Sequence, residues 1–221
     1  MKQFLLWCFS FLVIFLILPA SNAINFGLPD DLLDLFSTDR LESNFNYYLF
    51  ESSISSEPNK VVIGKGGWLF LGNHYANVLQ QVRGEDNTSD ADLSRWADEM
   101  KSKQDFHSTI GIETLFVIAP NKHSIYPEFL PDWINPATFN PVKKLESKAI
   151  DKGINFIHLA DSLKREKSAA KLLYRKTDTH WNEYGSHIAY SKILASSSSL
   201  LNRNLASVKL SGIEHKTVNG G

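Results

Sequence analysis

The sequence predicts an α/β domain built on a mostly parallel sheet and placed behind an export segment. Three observations point there. Two short apolar runs, 114–119 and 154–159, have the length and the β-branched content of strands buried on both faces. Amphipathic stretches of helical spacing stand before, between and after them, and that alternation is the pattern of a parallel sheet covered by helices. An almost unbroken apolar segment opens the chain.

That opening segment has the layout of a secretory signal peptide over residues 1–23. Lys2 supplies the positive start, residues 4–18 are apolar except for Ser10, and Pro19 breaks the pattern. Ser21-Asn22-Ala23 then offers small residues at −3 and −1 of a cleavage point. The run of 15 apolar residues is short beside the roughly 20 that a membrane span wants; the alternative is an uncleaved signal anchor. Removing residues 1–23 leaves twenty-two basic and twenty-four acidic side chains, a net charge of −2, and takes away Cys8, the only cysteine. The mature chain then has no disulfide, no thiolate nucleophile and no cysteine-based zinc site, which suits a bacterial periplasm with or without inner-membrane attachment. The 221 residues, 43% hydrophobic and 21% charged, are those of one globular domain. With a pI near 6.7 and no basic tract, the chain carries no electrostatic footprint for nucleic acid.

Residues 24–59 read as a helical leader and linker. Leu32, Leu33, Leu35 and Phe36 predict a short helix after Pro29-Asp30, a second helical or extended piece follows over 41–51, and the polar stretch 52–58 breaks regular structure. The domain proper, 60–221, starts with Val61-Val62-Ile63 and Trp68-Leu69-Phe70-Leu71 around Gly64-Lys65-Gly66-Gly67, a hairpin signal. Those glycines lack the spacing of a phosphate loop and precede a strand rather than a helix. Leu93, Trp96, Ala97, Met100 and Phe106 recur near a 3.6 period and predict a helix over 90–109, capped by Ser89-Asp90 and ended by Gly111. The strand 114–119 ends at Pro120-Asn121-Lys122. A helix over 140–152 follows, with Val142, Leu145 and Ala149 on one face and Gly153 as its C-cap. After the strand 154–159 come a helix over 160–173, a connecting segment 174–180, and a helix over 182–196.

The chemistry concentrates in Thr177-Asp178-Thr179-His180-Trp181-Asn182. In extended backbone, a carboxylate two residues before a histidine points to the same side as the imidazole. If Asp178 accepts from one ring nitrogen, it fixes the tautomer and leaves the other nitrogen free to take a proton from a hydroxyl, which is the base-and-orienter half of a catalytic triad. The alternative is structural: Asp178 caps the following helix and His180 packs against Trp181.

The block Lys176-Thr177-Asp178-Thr179-His180-Trp181-Asn182-Glu183-Tyr184-Gly185, with Ala189-Tyr190 behind it, resembles the Asp-x-His-Trp segment of the alginate acetylation proteins AlgX and AlgJ. Gly64-Lys65-Gly66-Gly67-Trp68-Leu69-Phe70-Leu71 resembles that family's opening hairpin. Val117-Ile118-Ala119-Pro120-Asn121-Lys122 and Ile125-Tyr126-Pro127-Glu128-Phe129-Leu130-Pro131 resemble its strand-loop segment. The resemblance spans roughly residues 60 to 190. It implies an SGNH-hydrolase-like (flavodoxin-like) three-layer sandwich that moves acetyl groups onto or off an exopolysaccharide hydroxyl, with Asp178 and His180 as catalytic residues. It also implies a membrane-bound O-acyltransferase as acetyl donor. In that family the nucleophilic serine lies downstream of the Asp-x-His-Trp block, in a Gly-x-Ser-type turn after another strand. Nothing after His180 fits: Ser186 is inside a predicted helix, Ser196 to Ser199 are at its end, and Ser211 precedes Gly212 with no β run before it. The domain therefore reads as incomplete at its C-terminus, and Ser124, in the loop after the first parallel strand, is the nearest substitute nucleophile.

Loops at the carboxyl ends of parallel strands are where α/β proteins bind ligands, so Asn121, Lys122 and Tyr126 are expected near the site. Asn121 is suited to an oxyanion, Lys122 to a uronate carboxylate, and Trp181 to stacking on a sugar ring, each against the alternative of turn-shaping or packing. His180 and His187 stand seven residues apart, too far for one metal ion, and neither metal nor cofactor is expected. Three functions stay open: O-acetyltransferase, acetyl-polysaccharide esterase on the same framework, and non-catalytic polysaccharide-binding component of an export complex.

Overall fold

The computed structural model describes residues 2–28, 32–138, 140–168 and 171–207. The chain divides into two compact units, Met1–Glu57 and Pro58–Gly221. In the first, α1 (Lys2–Phe26) is followed by a 3-10 turn (Leu32–Phe36) and α2 (Thr38–Glu51). The sequence predicts a break at Pro19, yet α1 runs through it. A proline removes one amide donor from a helix, and the turn beyond it is held from outside. The fully buried Asn22 gives its Nδ2 protons to Leu35 O at 2.7 Å and Ser37 O at 3.1 Å. Ser37 caps α2 by accepting from the Asp39 amide. Among the described residues, no helix is long and apolar enough to cross a membrane.

The second unit opens on the antiparallel hairpin of β1 (Val61–Ile63) and β2 (Leu69–Leu71), in the register Val61↔Leu71. Its turn places Gly66 and Gly67 at φ of 61° and 74°, a region that only glycine enters freely. α3 (Val78–Arg83) and α4 (Asp90–Thr109) follow. α4 starts at a capping box in which Ser89 and Asp92 satisfy each other's backbone amides. Leu93 and Ala97 are buried as their spacing demands, but Trp96 and Phe106, expected on the same face, are 41% and 63% exposed. β3 (Phe116–Ile118), α5 (Lys122–Ile125), α6 (Pro141–Asp151) and β4 (Phe156–His158) complete a parallel crossover, with Phe116 opposite Phe156.

Helices lie on both faces of this parallel pair. Leu93 and Ala97 of α4 meet Leu145 and Ala149 of α6 over Phe116, Ile118 and Phe156. Ile157 faces the larger core, which gathers the hairpin, α5, α7 (Ala160–Glu166) and α8 (Glu183–Leu200) around Trp68, Phe70, Tyr126, Leu163 and Leu173. Two expectations are corrected. β3 is not buried on both faces: Val117 is 38% exposed, because among the described residues the parallel sheet has only two strands. The helix predicted over 160–173 stops at Glu166. Lys167 turns extended and Leu173 and Tyr174 enter the core, where the Leu173 amide donates to the Tyr126 hydroxyl at 2.9 Å.

Candidate active site

The site is built on the loop between α7 and α8. Asn182 closes the base of this loop. Its amide donates to Leu173 O at 2.9 Å and its Nδ2 to Leu172 O at 2.7 Å, while its Oδ1 accepts from the Tyr184 and Gly185 amides and starts α8. Tyr174 and Trp181 pair in an antiparallel bridge, and the Arg175 amide donates to His180 O. The helix-cap role that the structural alternative gave to Asp178 therefore belongs to Asn182.

Asp178 is free for another purpose. Its Oδ1 lies 2.8 Å from His180 Nδ1, and the same oxygen accepts from the Thr179 amide at 2.6 Å and the His180 amide at 3.2 Å. The alignment comes from a turn wrapped around the carboxylate and not from the extended backbone that the sequence reading assumed. A carboxylate can only accept, so Nδ1 carries the proton and Nε2 of the neutral ring is left with a lone pair. The His180 hydrogen bond, joined by the two backbone donors, holds the Asp178 carboxyl below the usual carboxylate range. The pair is open to solvent, with the His180 side chain 81% exposed.

Lys122 requires a correction. The sequence reading offers it to a substrate carboxylate, but the residue is 3% exposed and its ammonium is occupied. Nζ donates to Leu69 O, Arg175 O and Lys176 O at 2.7–2.8 Å and lies 3.1 Å from Asp178 O. Burial lowers its pKa to about 8 against the opposing pull of the Asp178 carboxylate. Tyr126 is corrected too: at 1% exposure, with its hydroxyl accepting from Leu173 and its ring 4.6 Å from that of Trp68, it is core. Trp181 is half-buried against Tyr174 at the margin of the same core. Asn121 stays exposed, with no helix-capping hydrogen bond from its side chain.

A cavity of about 350 Å³ opens at the carboxyl ends of β3 and β4, lined among others by Pro120, Asn121, His123, Ser124, Asn140 and His158. It meets the loop through Pro120, whose carbonyl accepts from the Tyr174 hydroxyl at 2.7 Å. His123 and His158 were not singled out from sequence, although His158 ends β4 and His123 lies in the segment after β3, at the carboxyl ends of the strands where ligands are bound. His123 donates from Nε2 to Leu71 O at 3.0 Å, so its buried Nδ1 is an acceptor without a partner among the described residues, and burial lowers its pKa to about 4. Burial also lowers that of His158.

Among the described residues, no serine is hydrogen-bonded to His180. Ser124 is exposed on α5, the Ser186 hydroxyl donates to Glu183 O at 3.0 Å, and that of Ser198 donates to Arg203 O. Ser211 lies outside the described residues. No group of His, Cys, Asp and Glu among the described residues is placed to hold a metal ion.

Comparison with known proteins covers this whole arrangement. A family model described as SGNH hydrolase-like domain, acetyltransferase AlgX, matches residues 61–216. Among solved structures, the chain is similar to the O-acetyltransferase domain of AlgJ from Pseudomonas putida, at 20% identity and a TM-score of 0.50. That alignment covers 66% of this chain and 50% of the other, so the chain spans half the length of the structure it matches. At this identity the likeness is one of fold. No curated protein matches.

Proposed function

Because the chain belongs to the family of SGNH hydrolase-like domains of the acetyltransferase AlgX, we propose that it is a periplasmic O-acetyltransferase acting on hydroxyls of alginate or another exopolysaccharide, with Asp178 as orienter and His180 as general base. The observation that carries this reading is the 2.8 Å contact between Asp178 Oδ1 and His180 Nδ1 on an open surface. It leaves Nε2 free for proton transfer, and Asp178 stabilises the imidazolium that results.

The nucleophile is a serine hydroxyl from outside the described residues. Its proton passes to His180 Nε2 as its oxygen bonds to the acetyl carbonyl carbon. The imidazolium returns that proton to the departing donor oxygen as the donor's ester bond breaks. A sugar hydroxyl then attacks the acetyl-serine ester and gives its proton to the same nitrogen. The new sugar ester forms and the serine oxygen recovers a proton. Asn121 is assigned as the donor to the developing oxyanion, a role supported by its exposed side chain on the cavity at the strand ends. A membrane-bound O-acyltransferase supplies the acetyl group, and the N-terminal segment directs export. A second reading, hydrolysis of acetyl-polysaccharide on the same framework, is favoured by one observation: a base 81% exposed admits water as readily as a sugar.

The test gives the full-length protein an acetyl ester with and without acceptor oligosaccharide. Transfer to the acceptor is expected. Asp178→Asn should reduce turnover by roughly 10²- to 10⁴-fold, with His180→Ala at least as damaging. Both residues are exposed, so thermal stability should hold. Undiminished turnover by His180→Ala would remove His180 as the base, whereas a natural protein that binds the oligosaccharide but neither transfers nor hydrolyses the acetyl group would be a polysaccharide-binding component.

A further inference from the structure

Resting on the assignment of Asp178 and His180 as orienter and base, we propose that Lys122 is a positioning residue: a tethered cation that gathers the inward-turned carbonyls of the Asp178 loop onto the hairpin and so fixes where the base stands.

Three of the four oxygens around the ammonium, those of Arg175, Lys176 and Asp178, belong to the loop that carries the dyad, and the fourth, Leu69 O, belongs to β2. These partners lie 53 to 56 residues from Lys122 in sequence, so the contact joins distant parts of the chain. An ammonium has three N–H donors. The three short contacts use them, and the longer one to Asp178 O is held by charge. The Leu69 amide adds a second tie by donating to Lys176 O at 3.0 Å. Carbonyl dipoles converging on one point repel each other unless a cation sits there. Turning those carbonyls inward directs the Asp178 carboxylate outward, where it wraps the Thr179 and His180 amides.

The ammonium also lies 4.7 Å from the ring centre of Trp68 and 5.2 Å from that of Phe70, so the strand beneath offers π faces as well as a carbonyl. Of the titratable groups packed around it, the Asp178 carboxylate favours its charge. His123 is neutral in the range where Lys122 titrates, as are the phenols of Tyr126 and Tyr174, both raised by burial. The Arg175 and Lys176 side chains are exposed, and residues 68–71 bring no charged side chain. With its donors used and its surface buried, Lys122 has nothing left for a substrate.

The decisive measurement needs no variant. Backbone amide shifts of Leu69 and of residues 176–180 in the full-length protein should titrate together with a midpoint near pH 8, the value to which burial lowers Lys122. Lys122→Met should abolish that step, accelerate hydrogen exchange in the loop, and lower kcat for an acetyl ester by about 10²-fold with KM little changed. Lys122→Ala should regain part of that loss on addition of propylammonium, which can refill the carbonyl cage. Loop amides that do not titrate in the natural protein, or a Lys122→Met protein with unchanged loop exchange and turnover, would overturn the inference. If His180→Ala keeps full activity, the catalytic reading falls, while the amide titration still decides whether Lys122 holds the loop.

Discussion

His123 gives its Nε2 proton to Leu71 O and keeps, at 2% exposure, an Nδ1 without a partner among the described residues, so charging it means placing a cation where none of them receives the second proton. Its pKa falls from 6.5 to about 4 on folding. Between those values the unfolded chain binds the proton and the folded chain does not, so stability is lost as pH falls through that window, by up to about 3 kcal/mol. Denaturant unfolding at pH 7 and pH 4.5 should show the drop. His123→Phe, whose ring can keep the contact with Phe70 at 5.1 Å, should flatten it. The contact between Asp178 and His180 was legible only in part: the spacing alone suits a helix cap as well as a hydrogen-bonded pair, the resemblance of block 176–185 singled it out, and the turn that makes the contact was not foreseen. The task of Lys122 was not legible, since its partners are backbone carbonyls, which every residue has, and only the path of the chain brings four of them together.

At the scale of elements, Gly185 in the first turn of α8 shows how tightly the site loop is seated. A Cβ there would lie 2.2 Å from Leu173 O and 2.8 Å from Trp181 Cβ. Alanine is the better helix former by about 1 kcal/mol, but the clash is with backbone, so Gly185→Ala should destabilise by roughly 1–3 kcal/mol in thermal or denaturant unfolding. It should also shift the amide signals of 173–181. The ends of α4 were legible, because Ser89-Asp90 marks its start and Gly111 its stop, although the partner of Ser89 in the capping box is Asp92. α7 was overextended: the apolar residues that continue its pattern, Leu172 and Leu173, lie in a segment whose core contacts pull it out of the helix. α3 and α5, of six and four residues, are too short to show a period.

For the molecule as a whole, the α/β class and the parallel pairing followed from the alternation of apolar runs and amphipathic stretches, and the SGNH-like fold from three motifs in order. The burial of the sheet did not follow, because an apolar run reads alike whether one neighbouring strand flanks it or two. The register leaves the Val117 amide and carbonyl turned away from β4, and among the described residues no strand meets them. Such a margin is adhesive: a further strand, of the domain itself or of a second molecule, can lay its backbone along it at no cost in existing bonds. Where no strand of the domain takes that place, light scattering of the purified protein should rise with concentration. Val117→Lys, which places a charge on that half-exposed rim, should keep the particles monodisperse without altering the melting of the domain.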